Sequence, residues 1–356
     1  MSGNSRTKKY YGDNSCNKSC CTKDECKDGC TDSCKDSCKN LEHPKAIKRY
    51  VNSNVQYIAD WFDSITVNPW GIISLVEKSK SKCKDQCKNV YWVANYGSNT
   101  LGKYFTSGEL LEQVTTTGSP TGLVYNYPGL YRDYNIIVVT ILGTIEGLRI
   151  DDNNNPNGST EVIIDKSFSA IYTGVGLTGE RLYAVNFANG QVEMYDDDFQ
   201  SIGSFTDDAL VNSGYYPYNV AVKDKYVYVT FARKLDGNCA VPGIGFGYVD
   251  IFSLDGQLLF RHISRDPLNA PWGLTFSKCD KYLYVGNNGD GKINIFDLCS
   301  GEFIGPLTDK NCNPIQIGGL WGIDLNNKLS FAAGIDPLPE NCNVGQNGLI
   351  GYLQIC

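Results

Sequence analysis

Three asparagines close three similar apolar segments: Asn95 ends YWVAN, Asn186 ends LYAVN and Asn287 ends LYVGN. Two carboxylates, Asp324 and Asp336, stand in a related stretch near the C-terminus. Amide carbonyls together with a carboxylate are hard oxygen donors, and donors of that kind suit Ca2+. The competing chemistry is local. Asparagine tolerates left-handed turn geometry and bonds its own backbone, so an asparagine at the end of a strand also caps the turn that follows. The turn-capping role is the stronger expectation for Asn95, Asn186 and Asn287. Asp336 joins them as a Ca2+ candidate, and no cofactor is otherwise expected.

A second reactive set is sulfur. Of 15 cysteines, seven fall at Cys16, Cys20, Cys21, Cys26, Cys30, Cys34 and Cys38, every fourth residue from Cys26 onward in CKDGCTDSCKDSCKN. Three readings compete. Thiolates bind soft metals, but zinc modules usually pair C-x2-C with a second pair or with histidines, and here His43 is the sole nearby imidazole. Spacing of i, i+4 places cysteines on one helical face, although Gly29 and the Asp/Ser content oppose a helix. The third reading is a disordered tail that crosslinks internally or to neighbours. A segment of Lys, Asp, Ser and Asn buries too little apolar surface to offset its ordering entropy, so the tail is favoured. Within the body, CKDQC at Cys83 to Cys87 suits a disulfide-clipped loop.

Other catalytic classes find little support. The two histidines, His43 and His262, lie near the head and after the LLF segment, so a nucleophile–imidazole mechanism lacks its base. No phosphate-binding loop or dinucleotide fingerprint occurs. Net charge is −7, but residues 1–50 hold 11 Lys/Arg against 7 Asp/Glu, leaving a body of −11. Such a body argues against nucleic acid as a partner. The longest apolar run, Ile136 to Leu142, has strand length, so no transmembrane segment is expected. The first residues lack the apolar stretch of a secretory signal.

The candidate residues must be positioned by something repetitive. With 37 Gly and 23 Tyr, the composition favours strands joined by tight turns. NPWGIISL, SPTGLVYN, AIYTGVGL, YPYNVAVK, APWGLTFS and GLWGIDLN recur about every 50 residues, the length of a four-stranded unit. The fifth unit displays the plan as WGLTFS, KYLYVGN, KINIFDL and EFIGPL, with NGDG supplying the positive φ of a hairpin turn. Six such sheets arranged radially bury one another's faces. The sequence predicts an all-β, six-bladed β-propeller over residues 46–356, behind a Cys-rich, disordered segment at 1–45. The sixth unit is one strand short, and KRYVNSNVQYIAD supplies a strand near 50–58 to close the ring. Each Trp-Gly starts an innermost strand, with the indole filling space between blades.

The ordered motifs VNPWGI, YAVNFANGQVEMYD, GFGYVDIFSLDGQLL and YVGNNGDGKINIFD resemble a family of uncharacterised NHL-like six-bladed propellers whose bacterial members are often exported. The resemblance implies the fold across residues 50–355 and no established activity. In the second unit VVTILGTIEG departs from it, with Ile141 and Leu142 where acidic residues are expected. The Cys-rich head and the Asn/Lys/Tyr/Ile bias resemble particle proteins of giant DNA viruses. That likeness implies a location on a virion or other assembly surface rather than free in the cytosol, with disulfide-linked self-assembly through the head. The resulting expectation is a non-catalytic binding or structural propeller with a protein or glycan partner. The alternative is a calcium-dependent lactonase or esterase of the senescence-marker and paraoxonase type, which the asparagines would serve.

Overall fold

The computed structural model describes residues 56–59, 66–78, 87–126, 129–151, 156–235, 239–309, 311–337, 345–353 and 355, with backbone alone at 56–59, 78, 87–88, 335–337 and 345–346. The segment 1–45 and its seven cysteines, together with Cys83, lie outside the described residues.

Six antiparallel sheets make the molecule, each with a core of four strands. Blade one contains Pro69–Lys78, Cys87–Asn95, Thr100–Phe105 and Leu110–Thr115. Blade two contains Pro120–Tyr125, Ile136–Thr140, Thr144–Leu148 and Glu161–Asp165. Blade three follows with Tyr172–Leu177, Arg181–Asn186, Gln191–Asp196 and Ser201–Phe205. Blade four has Tyr215–Lys223, Tyr226–Leu235, Gly247–Ser253 and Leu258–Ser264, and Cys239–Ala240 pairs with its second strand. Blade five has Pro271–Phe276, Tyr282–Asn287, Ile293–Asp297 and Phe303–Pro306. Blade six takes Leu320–Leu325, Leu329–Pro337 and Gly345–Leu353 from the C-terminal end, and its outer strand is Gln56–Ala59, antiparallel to Gly345–Leu353.

The first strand of each blade touches the first strand of the next, and blade six returns to blade one, so the six innermost strands surround an axis. Glycine makes that approach feasible. A Cβ on Gly71 would lie 2.7 Å from the Thr121 carbonyl oxygen, one on Gly122 3.0 Å from the Gly174 Cα, and one on Gly273 2.8 Å from the Trp321 carbonyl oxygen. No side chain fits into such a gap without moving backbone. Blade four differs, with Asn219 in the glycine register. Its Nδ2 donates to the Trp272 carbonyl at 2.8 Å and its Oδ1 accepts from the Val220 N–H, so the amide makes the contact to blade five that the bare backbone makes elsewhere.

The alternation of strand residues sorts them between the seams. Leu182, Tyr195 and Tyr172 pack with Ile137, Val139 and Ile145 between blades two and three. Val227, Val229 and Phe252 pack with Tyr183, Val185 and Val192 between blades three and four. Strands in the middle of each blade are buried on both faces, which is why second strands such as YLYVGN read as nearly continuous apolar runs.

Candidate functional site

One end of the ring gathers the starts of the innermost strands, the ends of the second strands and the loops that enter each blade. Every innermost strand carries a register shift there, between Pro69 and Ile72, Pro120 and Leu123, Tyr172 and Gly174, Pro217 and Asn219, Pro271 and Gly273, and Leu320 and Ile323. A bulge breaks the two-residue alternation and re-aims a side chain. The residues within the shifts are Trp70, Thr121, Thr173, Tyr218, Trp272 and Trp321. In the third unit, AIYTGVGL, the tryptophan register therefore belongs to Thr173.

The tryptophans were expected between blades; instead they meet one another at the axis. Trp70 of blade one stacks on Trp321 of blade six with ring centroids 3.6 Å apart, and Trp272 of blade five meets both edge-on at 6.1 and 6.0 Å. Tyr218 of blade four approaches Trp321 at 6.2 Å, and Phe187, Ala232 and Ala270 complete the buried cluster. Contact between blades one and five, which are not neighbours, requires the side chains to cross the axis. The Trp272 Nε1 also crosses, donating to the Thr173 carbonyl of blade three at 3.0 Å. Blades four, five, six and one thus fill the mouth with aromatic rings. Blades two and three contribute Thr121 and Thr173, whose hydroxyls donate to the Tyr172 and Tyr218 carbonyls of the following blade at 2.9 and 2.8 Å. Just before the innermost strand, Asn68, Ala270 and Gly319 all have positive φ. These are the entries to the three tryptophan blades, so a shared left-handed entry accompanies the shared indole.

Asn95, Asn186 and Asn287 occupy one register, opposite Pro69, Tyr172 and Pro271, in three separate blades. All three are fully buried. Asn186 caps its turn: Oδ1 accepts from the Ile171 and Asn189 N–H groups and Nδ2 donates to Glu193 at 3.0 Å. Asn287 Nδ2 donates to the Pro267 carbonyl at 2.9 Å, and Asn95 Nδ2 lies within 3.5 Å of Thr100 and Tyr104 hydroxyls. The Oδ1 atoms of Asn95 and Asn287 have no hydrogen-bond partner. Each amide bonds within its own blade or the loop that enters it, and no described bond joins one to another. In blade six Ala333 holds their register. Asp336 lies further along that strand, with its side chain outside the described residues. Asp324 is committed elsewhere, its Oδ2 accepting from the Ser74 N–H at 2.7 Å and from the Ser74 hydroxyl across the seam between blades six and one. Burial, opposed by those bonds, pushes its carboxyl up.

A recurring polar set escaped the sequence reading. Glu146, Glu193, Asp250 and Asn294 each take the third-strand position paired with a buried residue of the second strand, Val138, Ala184, Val229 and Val285. Each secures the loop that enters its own blade. Glu146 accepts from the Thr117 N–H and hydroxyl and from Thr144 and Thr160. Glu193 accepts from Lys166 at 2.8 Å and from the Tyr172 and Tyr195 hydroxyls at 2.7 Å. Burial pushes the Glu193 carboxyl up, but these bonds and that from Asn186 outweigh it and leave the carboxyl below its ordinary range. Asn294 Nδ2 donates to the Pro267 carbonyl. In blade four Arg261 bridges Asp250 and Asp207, and Asp207 caps the short helix Asp208–Asn212 through the Ala209 and Leu210 N–H groups. The signal that could have found the set is positional: TIE, QVE, YVD and KIN present the polar residue at the same place in four units.

Among the described residues no group of three or more His, Cys, Asp or Glu could hold a metal ion. His262 sits on the outer strand of blade four, with burial pushing its imidazole down. Of the described cysteines, Cys239 and Cys312 are disulfide-bonded, Cys299 is free, and the Cys279 thiol donates to the Ser277 hydroxyl. The side chain of Cys87 lies outside the described residues. Among the described residues no helix is long and apolar enough to cross a membrane.

No family model matches the chain. It is similar to three uncharacterized proteins of Acanthamoeba polyphaga mimivirus. One is 29% identical over 85% of this chain and 79% of its own length, and another is 26% identical over 85% and 84%. The third is 34% identical, but the match spans 58% of this chain and 43% of that relative. Among solved structures the chain resembles a luciferin-regenerating enzyme, with a TM-score of 0.52, 13% identity, and coverage of 85% of this chain and 95% of that one. A streptogramin B lyase matches with a TM-score of 0.50 and 12% identity, over 88% of this chain and all of the other. At such identities the likeness is one of fold alone: the chain is a six-bladed propeller whose relatives are uncharacterized viral proteins.

Proposed function

We propose that the chain is a non-catalytic binding propeller, held at the surface of a virion or similar assembly through its Cys-rich N-terminal segment. The observation that carries the first half is the aromatic closure of the axis. A propeller enzyme needs polar groups converging at that mouth, and here Trp70, Tyr218, Trp272 and Trp321 occupy it. Of the buried carboxylates nearby, Glu146 and Glu193 bond to their entry loops and Asp250 pairs with Arg261. The second half is supported by seven cysteines in a segment with little to bury, and by relatives that belong to a virus. Its partner is a protein or a glycan, since the acidic body disfavours nucleic acid.

Electrophoresis of native material tests the anchor. Disulfide-linked oligomers are expected without reductant, collapsing to the 39.3 kDa chain when it is added. A monomer in both lanes with stoichiometric zinc would refute it.

The calcium-dependent hydrolase remains the second reading because Asn95 and Asn287 leave buried carbonyl oxygens unpaired. Against it, the Asn186 oxygen is already taken by two N–H groups. A ligand at 100 times its dissociation constant stabilises a fold by about 2.7 kcal/mol. The expected result is no change in melting temperature with millimolar Ca2+. A rise abolished by Asn95→Ala or Asn287→Ala would favour the hydrolase instead.

A further inference from the structure

With the axis filled, the open ground at the mouth lies off-centre, over the two blades that bring threonine to it. A cleft of about 640 Å3 is there, between the turn Ile141–Leu142 of blade two, the entry loop 167–171 and the Ala188–Asn189 turn of blade three. That volume is in the range of small-molecule sites. Its floor is continuous with the plug, since Ile171 lines the cleft and packs against the tryptophan cluster.

Two apolar side chains of the cleft stand exposed in the free chain. Leu142 is 51% exposed, in the turn between Ile136–Thr140 and Thr144–Leu148. Phe168 is fully exposed, at a backbone φ of +71° that bulky residues rarely adopt. Its loop is nevertheless pinned. Ser167 N–H donates to Asp165 at 2.8 Å, Ser169 and Ala170 N–H groups donate to the Lys166 carbonyl, and the Lys166 ammonium is anchored on Glu193. The fold thus holds an aromatic ring in water on a strained and well-tied backbone. A pre-organised surface of that kind meets a guest without paying to order it.

Charge selects the guest. None of the lining side chains ionises, and the nearest charges are already satisfied: Lys166 by Glu193 and Asp165 by the Ser167 N–H and hydroxyl. A charged guest would lose hydration in the cleft and gain no partner. We propose that this cleft is a binding site for a neutral, ring-bearing small molecule, stacked on Phe168 and seated against Ile141, Leu142 and Ile171. The proposal goes beyond the reading of the chain as a propeller with a protein or glycan partner and uses neither the Cys-rich segment nor calcium, so its failure leaves the anchor to stand or fall by electrophoresis.

The test uses the full chain and neutral N-phenyl-1-naphthylamine, whose fluorescence rises in apolar surroundings. Saturable binding at one site per chain is expected, with quenching of tryptophan emission through the Ile171 contact. Leu142→Asp and Phe168→Gly should each weaken it by about tenfold or more. Phe168→Gly should leave the melting temperature unchanged or higher, because glycine relieves the positive φ; loss of binding is then not loss of fold. The anionic analogue anilinonaphthalenesulfonate should bind about tenfold more weakly or worse. The proposal is overturned by non-saturable dye uptake, by binding indifferent to both substitutions, by equal affinity for the anion, or by binding confined to oligosaccharides or peptides.

Discussion

Replacing Trp321 by alanine should destabilise the propeller by about 3–5 kcal/mol, the usual cost of deleting a large buried ring. Trp321 is 1% exposed and touches rings from three other blades: Trp70, Trp272 and Tyr218. No neighbour can move into the vacated space, because each is fixed on a different innermost strand whose spacing is set by a glycine contact, or in blade four by Asn219, with the next. The loss should also be cooperative. A double-mutant cycle between Trp321→Ala and Trp70→Ala should return a coupling of roughly 0.5–1.5 kcal/mol, from the stacked pair. Urea unfolding followed by far-ultraviolet circular dichroism measures both. A cost under about 1 kcal/mol, or strict additivity, would mean that the indoles are space-fillers within separate seams and that the axis is not held by them.

That distinction could not be read from the sequence, for a definite reason. Strand and turn periodicity exposed the six units because alternation and Gly-containing turns are local signals, and the fifth unit's four segments coincide with Pro271–Phe276, Tyr282–Asn287, Ile293–Asp297 and Phe303–Pro306. A bulge is not written in alternation; it shifts a side chain by one pleat while leaving the apolar pattern intact. Each Trp-Gly was therefore legible as the start of an innermost strand and not as an axial residue. Glycine's share was legible, since close backbone approach is what glycine allows. Thr121, Thr173 and Tyr218 in the same register were invisible as a set because their side chains have nothing in common but position.

The asparagines illustrate the opposite limit. Asn95, Asn186 and Asn287 were recognisable as equivalent, yet equivalence in register is not convergence in space. Positions repeated around a ring approach one another only on the innermost strand, and these stand on the second. For the same reason Glu146, Glu193 and Asp250, one strand further out, are fastened to loops and do not face a common ligand. Asn186, Asn287, Glu146 and Glu193 thus bond to the loops that enter their own blades. The surface free to recognise something is where the repeat is broken, at Ile141–Leu142 and at Phe168.

The anchor in blade four makes stability depend on pH. Asp250 is fully buried; burial, and then the carboxyl of Asp207 beside it, raise its pKa to about 7, with Arg261 opposing. Asp207 is shifted the other way, below its ordinary value: burial raises it, but the bonds from Asp250, the Leu210 N–H and Arg261 prevail. For Asp250 the folded state holds its proton more tightly than the unfolded chain does. Its contribution is therefore fully present below the ordinary aspartate range near pH 4 and is lost as pH rises through about 7. The contribution of Asp207 is present above that ordinary range and lost as pH falls below it, so Asp207 adds no fall between pH 5 and 8; there Asp324, also raised by burial, acts in the same sense as Asp250, and His262, lowered by burial, opposes them below its ordinary value of 6.5. Melting temperature should fall across that interval. Asp250→Asn should remove the Asp250 share of the fall, because the amide cannot ionise and Asn294 already fills the same register in blade five. At pH 8 the variant should be more stable than the parent by roughly 2 kcal/mol or more, since each unit of pKa difference is worth about 1.4 kcal/mol. At pH 5 the gap should be smaller, and it should close only towards pH 4, the ordinary aspartate range. Thermal melts of both proteins at pH 5, 6, 7 and 8 decide the matter. A parent that is equally stable throughout, or a variant that loses stability in parallel with it, would show that Asp250 is ionised in the fold and that Arg261 is shared by two carboxylates rather than by one carboxylate and one acid.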